Sequence, residues 1–472
     1  MFFANALHAQ TTIPSDKIAN YVAEEMQRHH LPNVAVGVVL GDSIRTQWDF
    51  GQPPLQGNYQ IGSLSKSFTA LAILRLVEHG KVVLDTPVRA YLPWFATSNS
   101  AVSAKIMVRH LLNQTGGIPT SAGFVEPNAT TDAAADQIYA DYLRTVTTEF
   151  APGTAYVYSN MNYDLLGRII AKTTQMTCGA YFRDSIFLPL DMTGTFGIYD
   201  PSVATTLIPP HQYWFGLTHE VAPAPFNDYF VSGSEIISNP SDMCRYLQLM
   251  MRQGKMLSGD SLLSAEHIRL MLTPYSGKST GGYGMGWKLM PQTGTPFHTG
   301  LNKGYAAAME FDPDSKIGVV VLTNINSLTG TPGYMADNIL KMIQGKEPQL
   351  SPLDDIYRRY ASFAVLFALT FLFLKNLYEW FGYRFKMALT SRKMPYVWLV
   401  LCIALAFALL ICVPLISNVT LGYMFKSQPD YAFLLVAVAT FSVLNAIIRP
   451  FVRSNDILEA APDSESTPLI RE

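Results

Sequence analysis

Apolar and polar positions follow two regimes along this chain, and the change comes at about residue 345. Behind Ser15, placed as an N-cap, Ile18, Val22 and Met26 recur at helical spacing and predict an amphipathic first helix. Val34 to Leu40 and Ile44 to Phe50 then flank Gly41-Asp42-Ser43, the pattern of strand, turn and strand. A helix is expected from Ser63 to about His79, with Gly80 where helices end. Residues 84–260 carry helical segments, Met107–Gln114 and Met161–Lys172 among them, separated by long polar loops. Strand patterns return at Gly286–Met290, Thr295–Thr299, Tyr305–Phe311 and Ile317–Thr323, the last two joined by the turn Asp312-Pro313-Asp314-Ser315. An amphipathic helix over Tyr334–Ile343 closes the region. Strands at both ends of a largely helical middle predict an α+β fold at 13–345, with one sheet whose edge strands come from both termini.

Beyond a linker at 346–357 the pattern becomes apolar in three runs: Ala361–Leu374, which is continuously apolar and can extend to Phe381, then about 396–416 and 431–448. Each is about long enough to cross a hydrocarbon core of roughly 30 Å, and three in succession predict three transmembrane helices within 358–453. The loop between the first two runs carries Lys375, Arg384, Lys386, Arg392 and Lys393, the next only Lys426, and Arg449 and Arg453 follow the third. The positive-inside rule then places the first loop and the tail 454–472 in the cytoplasm and the large N-terminal region outside. The expected location is a bacterial inner membrane, multi-pass, with that region periplasmic. Ala4, Ala6 and Ala9 before Gln10 resemble the end of a secretory signal, so residues 1–12 are read as its remnant.

Composition agrees with this division. Hydrophobic residues make up 49% and charged ones 15%, against a usual charged share of about 25%. The imbalance comes largely from the last quarter, which makes membrane lipid an expected partner. A formal net charge of -2 gives no reason to expect nucleic acid. Cys178 and Cys244 lie in the first region, Cys402 and Cys412 in an apolar run; the four do not read as a disulfide framework, and a Cys178–Cys244 pairing is left open by sequence. No Cys/His spacing resembles a zinc site, and no metal or organic cofactor is implied.

Candidate chemistry sits at Gly62-Ser63-Leu64-Ser65-Lys66. Residues at i and i+3 share a helix face, so the Ser63 hydroxyl and Lys66 amine can meet, activating a nucleophile without a histidine. Ser-x-x-Lys alone is a common pattern. Two later stretches, Tyr158-Ser159-Asn160 and His298-Thr299-Gly300, set it apart. Singly, Ser63 reads as an N-cap, Tyr158 as a core aromatic and His298 as an exposed strand residue. In this order together, chemistry is the better reading.

Ile61-Gly62-Ser63-Leu64-Ser65-Lys66, Pro152-Gly153 with Tyr156-Val157-Tyr158-Ser159-Asn160 and Tyr163, and His298-Thr299-Gly300 resemble the serine β-lactamase and penicillin-binding-protein superfamily. The likeness is to its class C-like serine peptidase and esterase branch. His110-Leu111-Leu112-Asn113-Gln114-Thr115-Gly116-Gly117 and Tyr283-Gly284-Met285-Gly286-Trp287 extend it over about residues 15–345. The resemblance implies an antiparallel sheet with a helical region, and an acyl-enzyme formed at Ser63. Lys66 and Tyr158 are jointly assigned the proton transfers, because a phenol of pKa about 10 is a poor base until a lysine cation favours its phenolate. Backbone N–H groups of Ser63 and Leu301 are the implied oxyanion hole. Asn160, His298, Thr299 and Gly300 are expected to bind substrate, with Gly300 allowing close approach. His298 stands where many relatives carry lysine and offers a weaker, pH-dependent charge. Tyr156, Tyr163, Trp287 and Tyr305 are assigned to packing at least as readily as to a pocket.

With three apolar runs behind it, the hydrolase region resembles the periplasmic peptidases that activate nonribosomal peptide prodrugs, the colibactin-maturing kind among them. Those enzymes remove an N-acyl-D-asparagine cap as the product leaves the cell. Asn302 matches their substrate-binding asparagine, whose amide suits an asparagine side chain. The implied partners are a peptide or acyl-amino-acid substrate and a transporter or biosynthetic assembly. The other readings are a D,D-peptidase, β-lactamase or esterase, and a sensor that acylates without turnover.

Overall fold

A computed structural model of the protein describes residues 13–353 apart from 53–55, 126, 199–200, 276–280 and 327–330. Beyond these it describes scattered positions between 357 and 424, and the stretch 429–459. The chain divides into two units, Met1–Ile356 and Tyr357–Glu472.

The first unit is organised by a seven-stranded antiparallel sheet. Its strands are β1 (Asn33–Leu40), β2 (Ser43–Gly51), β3 (Gly282–Tyr283), β4 (Lys288–Leu289), β5 (Pro296–Asn302), β6 (Tyr305–Asp312) and β7 (Ile317–Thr323). Their order across the sheet is β2-β1-β7-β6-β5-β4-β3. The N-terminal hairpin therefore does supply one edge. The last strand does not supply the other: β7 lies between β1 and β6, with Val34 opposite Thr323 on one side and Ala306 opposite Thr323 on the other. The run Ile-Gly-Val-Val-Val-Leu-Thr is buried throughout, and such a strand exposed at an edge would invite aggregation. The far edge is the short β3–β4 pair, so the strand expected over Gly286–Met290 contracts to two residues while β5 runs on to Asn302.

Alternation along the central strands separates two cores. Val34, Val36, Val38, Val319 and Val321 pack on one face with Ile18 and Val22 of α1 (Ser15–His29). Ala35, Val39, Val320 and Leu322 face the larger core. That core contains α2 (Ser65–Glu78), α3 (Asn160–Thr174) and α4 (Pro240–Met251), and the last helix, α5 (Thr331–Ile343), closes the α1 side. Pro14 precedes α1 as its cap without a side-chain bond, so Ser15 is the first helical residue rather than the cap. α2 is buried along most of its length, with Phe68 stacked on Tyr246 at 4.0 Å between ring centroids. Two residues of the expected linker are fastened to this unit. Gln349 N–H donates to the Asn338 side chain at 2.8 Å, and the Arg28 guanidinium donates to the Ser351 carbonyl at 3.0 Å.

In the second unit, residues 361, 364–368 and 371 of the first apolar run are helical, and the second run lies outside the described residues. The third run falls within the 31-residue helix Pro429–Glu459. Among the described residues no helix is long and apolar enough to cross a membrane.

Candidate active site

Ser63 lies in a tight 3-10 turn, Gly62–Leu64, that leads into α2, and Lys66 stands on the first turn of that helix. The spacing brings Lys66 Nζ to 3.1 Å from Ser63 Oγ. Tyr158 approaches from the helical side and places its hydroxyl 2.9 Å from the same oxygen. Lys66 Nζ also donates to the carbonyl oxygen of Gly233 at 2.7 Å and lies 5.1 Å from the centre of the Tyr158 ring.

Tyr158 stands just outside the N-terminus of α3, where its backbone is not held by the helix ladder. The loop after Leu112 holds it instead. The Gln114 backbone carbonyl accepts from Val157 N–H at 2.9 Å, and its side-chain oxygen accepts from Ser159 N–H at 3.0 Å and from Asn162 Nδ2 at 2.5 Å. Thr120 donates to the Tyr158 carbonyl at 2.6 Å, and Ser159 Oγ to the Pro119 carbonyl at 2.9 Å. Gln114, Pro119 and Thr120 thus position the segment that carries the phenol.

β5 forms the opposite wall. A Cβ on Gly62, which has φ +56°, would lie 2.6 Å from Leu301 N, and one on Gly300 would lie 2.0 Å from the Ile61 carbonyl oxygen. Glycine at both positions lets the strand seat directly on the nucleophile turn and brings Leu301 N beside Ser63. Backbone N–H groups converging there can receive charge that develops on a carbonyl oxygen.

Electrostatics divide the two proton-handling groups. Burial, opposed in part by Asp164, brings the Lys66 ammonium down to about 7. Burial pushes the Tyr158 phenol up, and its hydrogen bond to Ser63 offsets this only in part. The lowering expected from a neighbouring lysine cation is therefore not what the site produces: desolvation of the ring outweighs it. An amine titrating near neutrality suits acceptance of the Ser63 proton, while a phenol that stays protonated suits donation.

The strand residues were expected to face substrate, and they differ in what they offer. His298 is buried, with Nδ1 2.8 Å from the Thr299 carbonyl and Nε2 3.3 Å from the Tyr283 hydroxyl. Burial, Lys288 and Lys66 all press its pKa well below the usual range, so it is a neutral imidazole rather than a titrating charge. Thr299 is half-buried and Leu301 exposed. Asn302 Nδ2 donates to the Ser234 carbonyl at 3.1 Å and to Glu235 at 3.3 Å, and its oxygen accepts from Lys303 N–H at 2.8 Å. That amide braces the segment carrying Gly233, the acceptor of Lys66. Asn160 begins α3 with its side-chain oxygen buried and unpartnered among the described residues. Tyr163, Trp287 and Tyr305 are buried in the core, while Tyr156 is exposed, its ring 5.8 Å from Tyr283.

Two charged residues here escaped the sequence reading. Asp164, on α3, is buried with both carboxyl oxygens unpartnered, and burial raises its pKa well above the carboxylate range while Lys66 pulls it down. A carboxylate inside an otherwise apolar helix segment was the available signal. Lys288, on β4, lies 5.9 Å from the centre of the Tyr158 ring. It follows Trp287 in an edge strand, and nothing in the local pattern marks it.

The sequence matches the Beta-lactamase family over residues 18–344. It is 25% identical over 329 residues to Protein flp of Staphylococcus aureus (strain MRSA252), covering 67% of this chain and 64% of that protein. The chain thus spans just under two thirds of the length of that relative. Penicillin-binding protein 4 of Amycolatopsis lactamdurans is 26% identical over 316 residues, covering 63% of this chain and 81% of the relative. Among solved structures, the octameric penicillin-binding protein homologue from Pyrococcus abyssi superposes with a TM-score of 0.60 at 26% identity, covering 73% of this chain and 80% of that one. With its serine, lysine and tyrosine converging at the joint between sheet and helical region, this chain belongs to the Beta-lactamase family, the superfamily of serine hydrolases that includes penicillin-binding proteins.

Proposed function

We propose that the protein is a class C-like serine peptidase that works through an acyl-enzyme. One observation supports this above all: Ser63 Oγ is 3.1 Å from Lys66 Nζ and 2.9 Å from the Tyr158 hydroxyl. Neutral Lys66 takes the Ser63 proton as Oγ attacks the substrate carbonyl, and the N–H groups of Ser63 and Leu301 stabilise the oxyanion. Tyr158 gives its proton to the leaving amine as the C–N bond breaks, and recovers one from the Lys66 ammonium. Water then hydrolyses the Ser63 ester.

For substrate we propose an N-acyl-D-amino-acyl peptide, with a D-asparaginyl cap released from a nonribosomal prodrug. The three apolar runs of 361–448 support that choice, as does the likeness to prodrug-activating peptidases. In this reading the hydrolase region is periplasmic and the apolar runs hold it in the inner membrane near an exporter. The second reading, a D,D-peptidase, β-lactamase or esterase, is favoured by relatives that carry the name penicillin-binding protein.

The test is cleavage of N-acyl-D-asparaginyl and N-acyl-L-asparaginyl peptides by detergent-purified full-length protein, read by mass spectrometry beside Ser63→Ala. Serine-dependent cleavage of the D form alone is expected. Folded protein that cleaves neither peptide but acylates with a β-lactam or an ester would establish the second reading instead.

A further inference from the structure

Threonines inside helices commonly spend their hydroxyl on the carbonyl one turn back. Thr69 on α2 does not. Its Oγ1 lies 3.3 Å from the Ser65 carbonyl but 2.7 Å from the carbonyl of Ser232, so its single proton goes to the neighbouring segment. Thr69 and Ser232 are both buried, where a hydrogen bond gains strength from the low local dielectric.

The segment so held, Val231–Glu235, is a single π-helical turn, a rare backbone form that concentrates at functional sites. α2 fastens it at both ends. Thr69 takes the Ser232 carbonyl, and Ser65 Oγ accepts from the Ile236 N–H at 3.2 Å. β5 adds Asn302, whose amide donates to the Ser234 carbonyl at 3.1 Å. Between these points sits Gly233, and its carbonyl receives Lys66 Nζ at 2.7 Å. Lys66 and Thr69 share a face of α2 at i and i+3, so one helix carries both the amine and the group that fixes the amine's acceptor.

A neutral amine has two N–H bonds and one lone pair, and only the lone pair can take the Ser63 proton. Free rotation about Cε–Nζ would share that lone pair among three staggered directions. Spending one N–H on the Gly233 carbonyl leaves it two, and Ser63 Oγ occupies one of them at 3.1 Å. The same carbonyl holds the ammonium once the proton has moved, so it also favours the charged form.

We propose that Thr69 is a positioning residue for the reaction: acting through the Ser232 and Gly233 carbonyls, its hydroxyl aims the Lys66 lone pair at Ser63. The proposal rests on the acyl-enzyme reading above and adds a residue outside the reacting groups. As Ser63 Oγ bonds to the substrate carbonyl carbon, its proton passes to Lys66 Nζ, and the new ammonium keeps its hydrogen bond to Gly233. The titratable and charged groups around the amine come from other elements: Tyr158 ahead of α3, Tyr163 and Asp164 on it, Lys288 on β4 and His298 on β5. A substitution at Thr69 alters none of them, so a shifted pH profile reports on the Gly233 carbonyl.

The experiment compares native full-length protein with Thr69→Val, which keeps the shape and loses the donor, and Thr69→Ser, which keeps the donor. Single-turnover acylation by an activated aryl ester gives the rate, and kcat/KM against pH gives the acid limb. Thr69→Val should slow acylation by about tenfold to a hundredfold, the cost of a small misplacement of a reacting group. Its acid limb should move to lower pH, because the ammonium loses part of its acceptor. Thr69→Ser should restore both. If Thr69→Val does not fold, Thr69→Cys against Thr69→Ser asks the same question, since a thiol is only a weak donor. A native rate in the donor-deficient variant, or a slower one with the limb unmoved, overturns the assignment. Native protein that forms no acyl-enzyme at Ser63 would instead overturn the acyl-enzyme reading, and the proposal with it.

Discussion

Gly300 and Ile61 are in backbone contact: a Cβ on the glycine would stand 2.0 Å from the Ile61 carbonyl oxygen. No rotamer change can relieve such a clash, because a Cβ is fixed by its own backbone and the atom it meets is main chain. Gly300→Ala must therefore push β5 away from the turn that carries Ser63, and Leu301 N moves with it. Loss of one oxyanion donor typically lowers kcat by about 10²–10³. The expected outcome is a fall of at least about 10² in kcat on an activated ester, with melting followed in parallel to exclude global unfolding. A kcat within twofold of native would mean that Leu301 N–H does not meet the oxyanion.

Lys66 carries the heaviest expectation. Replacing it with alanine removes the base and leaves Asp164 buried without its neighbouring cation. Acylation should slow by about 10²–10⁴, the usual range for a general base. Lys66→Arg should be no better, since guanidinium stays protonated throughout the working range and cannot accept the serine proton. Single-turnover acylation by an aryl ester measures both. An active arginine variant would shift the role of base to Tyr158.

The pH dependence follows from the same residue. Free Lys66 must be neutral to accept a proton, and burial sets its pKa at about 7. The kcat/KM profile should therefore rise with pH through an acid limb near 7, because the inactive protonated form dominates below it. The Tyr158 phenol, raised by burial, stays protonated across that limb and contributes no second ascending step. A limb near 10 would contradict a desolvated lysine base.

What the sequence discloses divides by distance along the chain. The meeting of Ser63 and Lys66 is local, a consequence of helical spacing, and could be anticipated without any fold. The antiparallel sheet was legible from the period-2 runs at Val34 and Ile317, but its order was not. Whether β7 sits inside or at an edge depends on which faces other helices cover. His298 shows the same limit. Its motif position suggested a titrating charge, yet it is buried against Tyr283 and lies in the field of Lys288, ten to fifteen residues away on other strands. Asp164 and Lys288 stayed hidden because a single charge in a buried helix or at a short edge strand belongs to no pattern.

Gln114 tests whether the phenol is positioned as the hydrogen bonds indicate. Its side-chain oxygen accepts from Ser159 N–H and Asn162 Nδ2. Gln114→Ala strands both donors in the interior, and an unsatisfied buried donor costs about 1–3 kcal/mol. Urea denaturation of the hydrolase unit should show a loss of that size, and acylation should slow as Tyr158 loses its fixed approach to Ser63. A variant of native stability would mean that both donors find other partners.

Asp164 and Lys66 are buried on neighbouring helices, and each favours the charged form of the other. Asp164 is thus the brake on the depression of Lys66. Burial alone would drive the lysine lower, and the carboxylate pulls it partway back. Asp164→Asn keeps the shape and removes the negative charge. Lys66 should then lose its proton more readily, moving the acid limb of kcat/KM to lower pH. The sign matters more than the size, because a carboxyl that is already protonated at working pH would exert no pull and the limb would stay in place. A limb that moves upward would contradict both, and would mean that the substitution lets water reach Lys66 and restores the solvation of its ammonium.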